Sequence, residues 1–129
     1  MSEKKPKILI IEDDPFLLSM YVTKLEANEF EVASEEDGEK GIKAIKDEQP
    51  DLLLLDILLP GKDGFEILED MKTDEELKGI PVILLTNLGQ RKDVEKGLEL
   101  GAVDYLIKAH FTPSEVITKI MKVLEKSEK

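Results

Sequence analysis

The chain has 129 residues, 41% hydrophobic and 36% charged, with no cysteine and a formal net charge of −11. That length supports one domain with a real core, and no apolar stretch approaches the roughly 18–20 residues of a membrane span. Lack of cysteine removes disulfides, thiolate catalysis and cysteine-based zinc sites, while the acidic balance argues against direct nucleic-acid binding, which depends on neutralising phosphates. Neither nucleic acid nor membrane is expected as a partner. The polar start, Met1-Ser2-Glu3-Lys4-Lys5-Pro6, carries no signal peptide, and a cytoplasmic location is expected.

In chain order, Lys7-Ile8-Leu9-Ile10-Ile11 is a short apolar, β-branched run and reads as a first buried strand. It stops at Glu12-Asp13-Asp14-Pro15, where Asp14 suits a helix N-cap and Pro15 the first helical position. Leu17, Tyr21 and Leu25 recur at helical spacing to about Asn28. Phe30 to Ser34 is a weaker second strand, and Asp37 caps a helix that carries Ile42 and Ile45 and ends near Gln49-Pro50. Leu52-Leu53-Leu54-Leu55 then argues for a third strand, through Asp56, that is buried on both faces, as in the centre of a parallel sheet. The stretch that follows, Ile57 to Gly64, has Pro, Gly and Asp-Gly turn signals.

Asp63 and Glu66 resemble a capping pair for a third helix bearing Phe65, Leu68 and Met71. Val82 to Thr86 is the fourth strand, and roughly Gln90 to Leu100 the fourth helix, with Gly101 as its stop. Asp104 to Lys108 is the fifth strand. Thr112-Pro113-Ser114-Glu115 combines an N-cap, an N1 proline and a capping-box acid. The last helix carries Val116, Ile117, Ile120, Met121 and Leu124 on one stripe and frays from Glu125. Strand and helix alternate five times. The fold class is therefore α/β, a doubly wound (βα)5 three-layer sandwich around a parallel sheet with right-handed crossovers. Periodicity leaves the strand order open.

Parallel strands bring their carboxyl ends to one edge, where open α/β sheets keep their ligands. Here those ends carry Glu12 and Asp13, Asp56, Thr86 and Lys108. Carboxylates on neighbouring strand ends would lie about 5 Å apart, and at an effective dielectric near 20 each pair repels by roughly 3 kcal/mol. Such a cluster needs a cation or a raised pKa. Hard oxygen donors with room for water and phosphate suit Mg²⁺. Taken singly, these residues have plainer readings: Asp56 could start a loop, Thr86 could cap a helix, and Tyr105 could be half-buried core.

Together, Ile10-Ile11-Glu12-Asp13, Leu55-Asp56, Leu59-Pro60 with Asp63-Gly64, Thr86, and Tyr105-Leu106-Ile107-Lys108 resemble the response-regulator receiver domains of two-component signalling. The likeness runs from Lys7 to Leu124 and is nearest in kind to single-domain chemotaxis regulators. It implies a flavodoxin-like sheet of order 2-1-3-4-5, with residues 7–125 as the domain and residues 1–6 and 126–129 as tails.

By position, the resemblance implies that Asp56 accepts a phosphoryl group from the phosphohistidine of a histidine kinase or phosphotransfer protein. Mg²⁺, with Mn²⁺ as an alternative, would be held directly by Asp13, through bound water by Glu12, and by Asp56 and the backbone carbonyl of Leu58. Lys108 would contact the phosphoryl oxygens, Thr86 would bond one of them, and Tyr105 would be the switch residue coupled to Thr86. The domain would assist its own phosphoryl transfer and dephosphorylation without being an enzyme for exogenous substrates. Output would pass to a target protein through the fourth helix, fifth strand and fifth helix, from a monomer that can dimerise on phosphorylation.

The chain departs from the family pattern after Lys108, where Ala109 replaces a proline common in receivers. A cis bond there without proline would cost roughly 2.5–4 kcal/mol, and the sequence leaves cis and trans open. Asn87 makes the site's entrance bulkier. In receivers, the second residues after the acceptor and after the conserved threonine flank the path of the hydrolytic water. Here both are leucine, Leu58 and Leu88, which points to slow loss of phosphate. His110, the only histidine, reads as an ordinary loop residue. Three rivals remain at this stage. A Mg²⁺-dependent phosphatase would want a second Asp where Leu58 stands. A flavodoxin-like cofactor domain would want a Gly/Ser/Thr-rich loop where Glu12-Asp13-Asp14 stands. A non-phosphorylated adaptor would not need the acceptor set.

Overall fold

The computed structural model describes residues 5–127. Five strands, β1 (Lys7–Ile11), β2 (Glu31–Glu35), β3 (Leu52–Leu55), β4 (Val82–Thr86) and β5 (Asp104–Ile107), form one parallel sheet of order β2-β1-β3-β4-β5. The leucine run is its central strand, and all four leucines are at most 1% exposed. Alternation along a strand sends successive side chains to opposite faces. Accordingly Leu52 and Leu54 join Ile8, Ile10, Ile83 and Leu85 in one core, while Leu53 and Leu55 join Leu9, Ile11, Val82 and Leu84 in the other.

Each core is closed by helices on its side. Helices α1 (Pro15–Ala27) and α5 (Pro113–Ser127) cover the first, through Leu18, Tyr21, Leu25, Val116, Ile117 and Ile120. The second is covered mainly by α2 (Gly41–Glu48) and α3 (Gly64–Lys72), through Ile45, Phe65, Ile67, Leu68 and Met71, with α4 (Arg91–Glu99) alongside.

The predicted caps form as drawn. Asp14 accepts from the Phe16 and Leu17 N–H groups, and Pro15 opens α1. Asp63 and Glu66 make a reciprocal capping box at 2.9 Å each. Thr112 and Glu115 do the same at 2.8 and 3.2 Å.

Several boundaries differ from the sequence reading. The buried stripe of α1 is Leu18, Tyr21 and Leu25, not Leu17, because Leu18 faces the sheet while Leu17 is only half-buried. Strand β2 begins at Glu31, since Phe30 still closes the turn after α1 through its N–H to Leu25. Asp37 caps a 3-10 turn, Gly38–Lys40, which runs on into α2. Strand β3 ends at Leu55, so Asp56 lies just beyond it. Strand β5 ends at Ile107, and Lys108 starts a second 3-10 turn, Lys108–His110. Met121 is 41% exposed and falls outside the packed stripe of α5. That helix continues to Ser127, two residues past the point where fraying was expected to begin.

The crossover after β3 depends on glycine at one close approach. A Cβ on Gly64 would stand 2.5 Å from the Asp56 carbonyl oxygen and 2.8 Å from the Ile57 Cα, both main-chain atoms that cannot turn aside. The Gly64 N–H donates to the Ile57 carbonyl at 2.9 Å, folding the start of α3 back against the end of β3. Gly64→Ala should therefore lower the urea midpoint, at a cost of about 1–3 kcal/mol for overpacking. Gly79 has nothing within 4 Å of the same added atom. Gly79→Ala should change stability by no more than about 0.5 kcal/mol. Equal effects of the two substitutions would contradict this packing.

Candidate functional site

The sheet's hydrogen-bond ladder continues one residue past its central strands, and this aligns the acids. Glu12 N–H donates to the Glu35 carbonyl and Asp56 N–H to the Ile11 carbonyl, both at 3.0 Å. Since Ile11 pairs with Leu55, the residues that follow each, Glu12 and Asp56, leave neighbouring strands side by side. Each is about 5% exposed. Asp13 beside them is exposed, and carboxylate oxygens of Glu12, Asp13 and Asp56 lie within 4.8 Å of one another. The expected convergence occurs.

Lys108 resolves the repulsion between the two buried acids. Its ammonium donates to Asp56 Oδ2 at 2.8 Å and lies 2.7 Å from Glu12 Oε1, with the lysine side chain only 12% exposed. The other oxygen of each acid is held by main chain. Asp56 Oδ1 accepts from the Ile57 N–H at 2.7 Å and the Leu58 N–H at 3.3 Å, and Glu12 Oε2 accepts from the Asp14 N–H at 3.0 Å. Burial alone would lower the Lys108 pKa. Its bonds to Asp56 and Glu12 outweigh that and hold it above the ordinary 10.5, so the ammonium stays charged at neutrality. Burial pushes Glu12 above its ordinary 4.5, and the Asp56 charge adds to the rise against the pull of Lys108 and the Asp14 N–H. Sequence reading placed Lys108 at this edge but did not foresee that one ammonium would bridge both carboxylates.

Thr86 and Tyr105 meet at an unexpected point. Thr86 is wholly buried, and its Oγ1 accepts from the Leu88 N–H at 3.3 Å. The half-buried Tyr105 donates its hydroxyl to the Leu88 carbonyl at 2.6 Å. Burial, with the Asp93 and Asp56 carboxylates, pushes the phenol up to about 12, so it is a donor at neutral pH. The backbone of Leu88 thus joins the two. No residue type marks a main-chain link, so the sequence carried no signal for it. The Leu88 side chain is partly buried against the core beneath α2 and α3, whereas Leu58 is 54% exposed. None of the described peptides is cis, so Lys108–Ala109 is trans. His110 is exposed.

Three oxygen donors, one of them open to solvent, fit a hard divalent cation, which favours carboxylate and water ligands. The cluster is compatible with a metal site.

The chain is similar to known proteins over nearly its whole length. The family model described as "Response regulator receiver domain" matches residues 8–121. A DNA-binding dual master transcriptional regulator, RpaA of Synechocystis sp., is 38% identical over 124 residues, 96% of this chain and 51% of that protein. The phosphate regulon transcriptional regulatory protein PhoB of Escherichia coli is 35% identical over 120 residues, 93% of this chain and 52% of its own length. The chain therefore spans about half the length of these curated relatives. Among solved structures, the BeF3-activated N-terminal receiver domain of Klebsiella pneumoniae RstA superposes with a TM-score of 0.84 at 35% identity, covering 92% of this chain and 97% of that one. A CheY-like receiver domain protein from Methanospirillum hungatei gives 0.88 at 29% identity, covering 96% and 97%.

The raised Glu12 pKa has a signed consequence. A carboxyl whose folded pKa exceeds its unfolded value adds stability that is fully present below 4.5 and is lost as pH rises through the folded value. Glu12→Gln cannot titrate. Measured with a chelator present, its melting temperature should gain on that of the native chain as pH climbs from 4.5 towards neutrality. A gap that stayed constant or narrowed would contradict the burial of a charge at Glu12.

Proposed function

The chain belongs to the response regulator receiver domain family of two-component systems, and we propose that Asp56 is its phosphoryl acceptor. The observation that carries the reading is the Lys108 ammonium, 2.8 Å from Asp56 Oδ2 and 2.7 Å from Glu12 Oε1, beside the exposed Asp13. The donor is the phosphohistidine of a histidine kinase or phosphotransfer protein. An Asp56 oxygen attacks phosphorus in line, the P–O bond forms as the P–N bond breaks, and the donor imidazole leaves with the bonding pair and takes up a proton. Oδ1 is held by two main-chain N–H groups, which leaves Oδ2, on the Lys108 side, as the attacking atom. Positioning and charge stabilisation carry such a transfer, with little need for acid–base groups. Lys108 supplies positive charge to the equatorial oxygens, and Thr86 a hydroxyl to one of them after transfer.

Glu12, Asp13, Asp56 and the main-chain carbonyl of Leu58 would hold Mg²⁺, which when bound supplies further positive charge to the phosphoryl oxygens. The role of this chain's own carboxylates is to converge hard donors at the sheet edge. Output runs from Thr86 through Leu88 to Tyr105 as a shift between two populated states, read by a protein partner on the face of α4, β5 and α5. Phosphorylation-dependent dimerisation through that face fits the same reading. The chain acts as a signalling domain, not as an enzyme on exogenous substrates.

A small phosphodonor with Mg²⁺ should place one acid-stable, base-labile phosphoryl group on Asp56, and Asp56→Asn should remove it. Label that persists in the variant would refute the assignment, with His110 the next residue to test. The lifetime of that group is a separate expectation. Leu58 and Leu88 can neither orient nor hydrogen-bond a water, so loss of phosphate should be slow. Replacing Leu58 with Asn and Leu88 with Glu or Lys should accelerate release by about tenfold, equivalent to about 1.4 kcal/mol of barrier. Equal release rates in excess Mg²⁺ would show that the leucines do not guard the bond.

A further inference from the structure

Tyr105 lies where β5 passes beneath α4, and one position of that helix decides whether the ring fits. Gly97 is buried on α4. A Cβ built there would stand 2.6 Å from Leu84 Cδ1, 3.0 Å from Tyr105 Cδ2 and 3.2 Å from Tyr105 Cε2. Carbon atoms rest at about 3.5–4.0 Å, so any side chain at position 97 must displace a neighbour.

Three things could yield: Leu84, the helix or the tyrosine. Leu84 is 0% exposed in the middle of β4, inside a close-packed core that leaves its methyl little room. The helix is held at the adjacent position, where Lys96 Nζ sits 4.6 Å from the centroid of the Phe65 ring on α3. Its end is closed by the Ala102 N–H donating to the Gly97 carbonyl at 3.1 Å. Tyr105 is half-buried and borders solvent. The ring, with solvent beside it, has the freest path by which its contacts at 3.0 and 3.2 Å can be relieved.

We propose that Gly97 is a positioning residue for Tyr105: by lacking a side chain it leaves a slot under α4 in which the ring lies with its hydroxyl on the Leu88 carbonyl. Any side chain at 97 biases the ring outward and uncouples it from the loop that carries Thr86 and Leu88. The glycine thereby sets how strongly the inward ring, already on the Leu88 carbonyl in this structure, is favoured over an outward one. This inference rests on the reading of Tyr105 as the switch residue.

The chain's two tyrosines make the test direct. The 129-residue chain is labelled with 3-fluorotyrosine and observed by fluorine NMR. Tyr105→Phe assigns the lines, and Tyr21, 4% exposed in the opposite core, serves as the internal reference. In Gly97→Ala the Tyr105 line should move towards that of free fluorotyrosine, with the inward-to-outward ratio falling by about tenfold, the penalty of an overpacked methyl. The Tyr21 line should not move. Alanine is the better helix former, so loss of α4 does not explain such a change.

A second variant, Leu84→Val with Gly97→Ala, removes the 2.6 Å contact and leaves the two ring contacts. It should still expel Tyr105, and it carries the test if the single variant does not fold. An unchanged Tyr105 line in Gly97→Ala, or an inward ring in the double variant, would overturn the proposal. Phosphoryl uptake at Asp56 is followed by mass in the same samples. Absence of uptake in the native chain would overturn the acceptor reading and not this one. Uptake in both chains with only the Tyr105 line displaced supports the positioning role.

Discussion

The bridge from Lys108 to Glu12 and Asp56 is the interaction on which the site depends. Two carboxylates, each about 5% exposed, leave adjacent strands side by side because the parallel ladder fixes them there. Without a counter-charge the two carboxylates would repel one another at close range. The ammonium is not incidental to that arrangement, since stranding buried charges by removing one partner typically costs about 3–5 kcal/mol. Carboxylate oxygens of both acids also lie within 4.8 Å of one on the solvent-facing Asp13.

From the same edge a second set of contacts leads away from the chemistry. Thr86, at the end of β4, holds the Leu88 N–H, and Tyr105, on the adjacent β5, holds the Leu88 carbonyl. Leu88 lies in the short connection between β4 and α4, and its two flanking peptide units are held one by Thr86 and the other by Tyr105. The Tyr105 ring lies under Gly97, where an added Cβ would stand 3.0 Å from it, with its hydroxyl on the Leu88 carbonyl. The central strands beneath are buried on both faces, whereas the loop after β4 and most of α4 border solvent.

Much of this was legible in the residues. Four consecutive leucines announced a strand buried on both sides, and the alternation into two cores follows from that. The capping pairs at Asp63/Glu66 and Thr112/Glu115 were visible because caps are made by side chains of particular types at fixed spacing. The acids at the strand ends followed once the strands were parallel. What escaped was of three kinds. Adjacent leucines at 17 and 18 give two helical frames, and composition cannot choose between them. Side-chain geometry, such as one lysine reaching two acids across three strands, depends on distances that no spacing encodes. Main-chain bonds, such as those on Leu88, have no residue signature at all. The tight fit at Gly97 belongs with these, for a glycine near a helix end reads first as a weak spot.

Beryllofluoride, which binds as a phosphoryl mimic to a carboxylate, tests the central claim that Asp56 is a prepared acceptor set between Lys108 and the acids that follow β1. Fluorine NMR of the native chain titrated with it in the presence of Mg²⁺ should show one bound species at equimolar stoichiometry. That species should vanish in Asp56→Asn and weaken in Lys108→Ala. A native chain that shows no bound fluoride, or an Asp56→Asn variant that binds as well, would contradict the account.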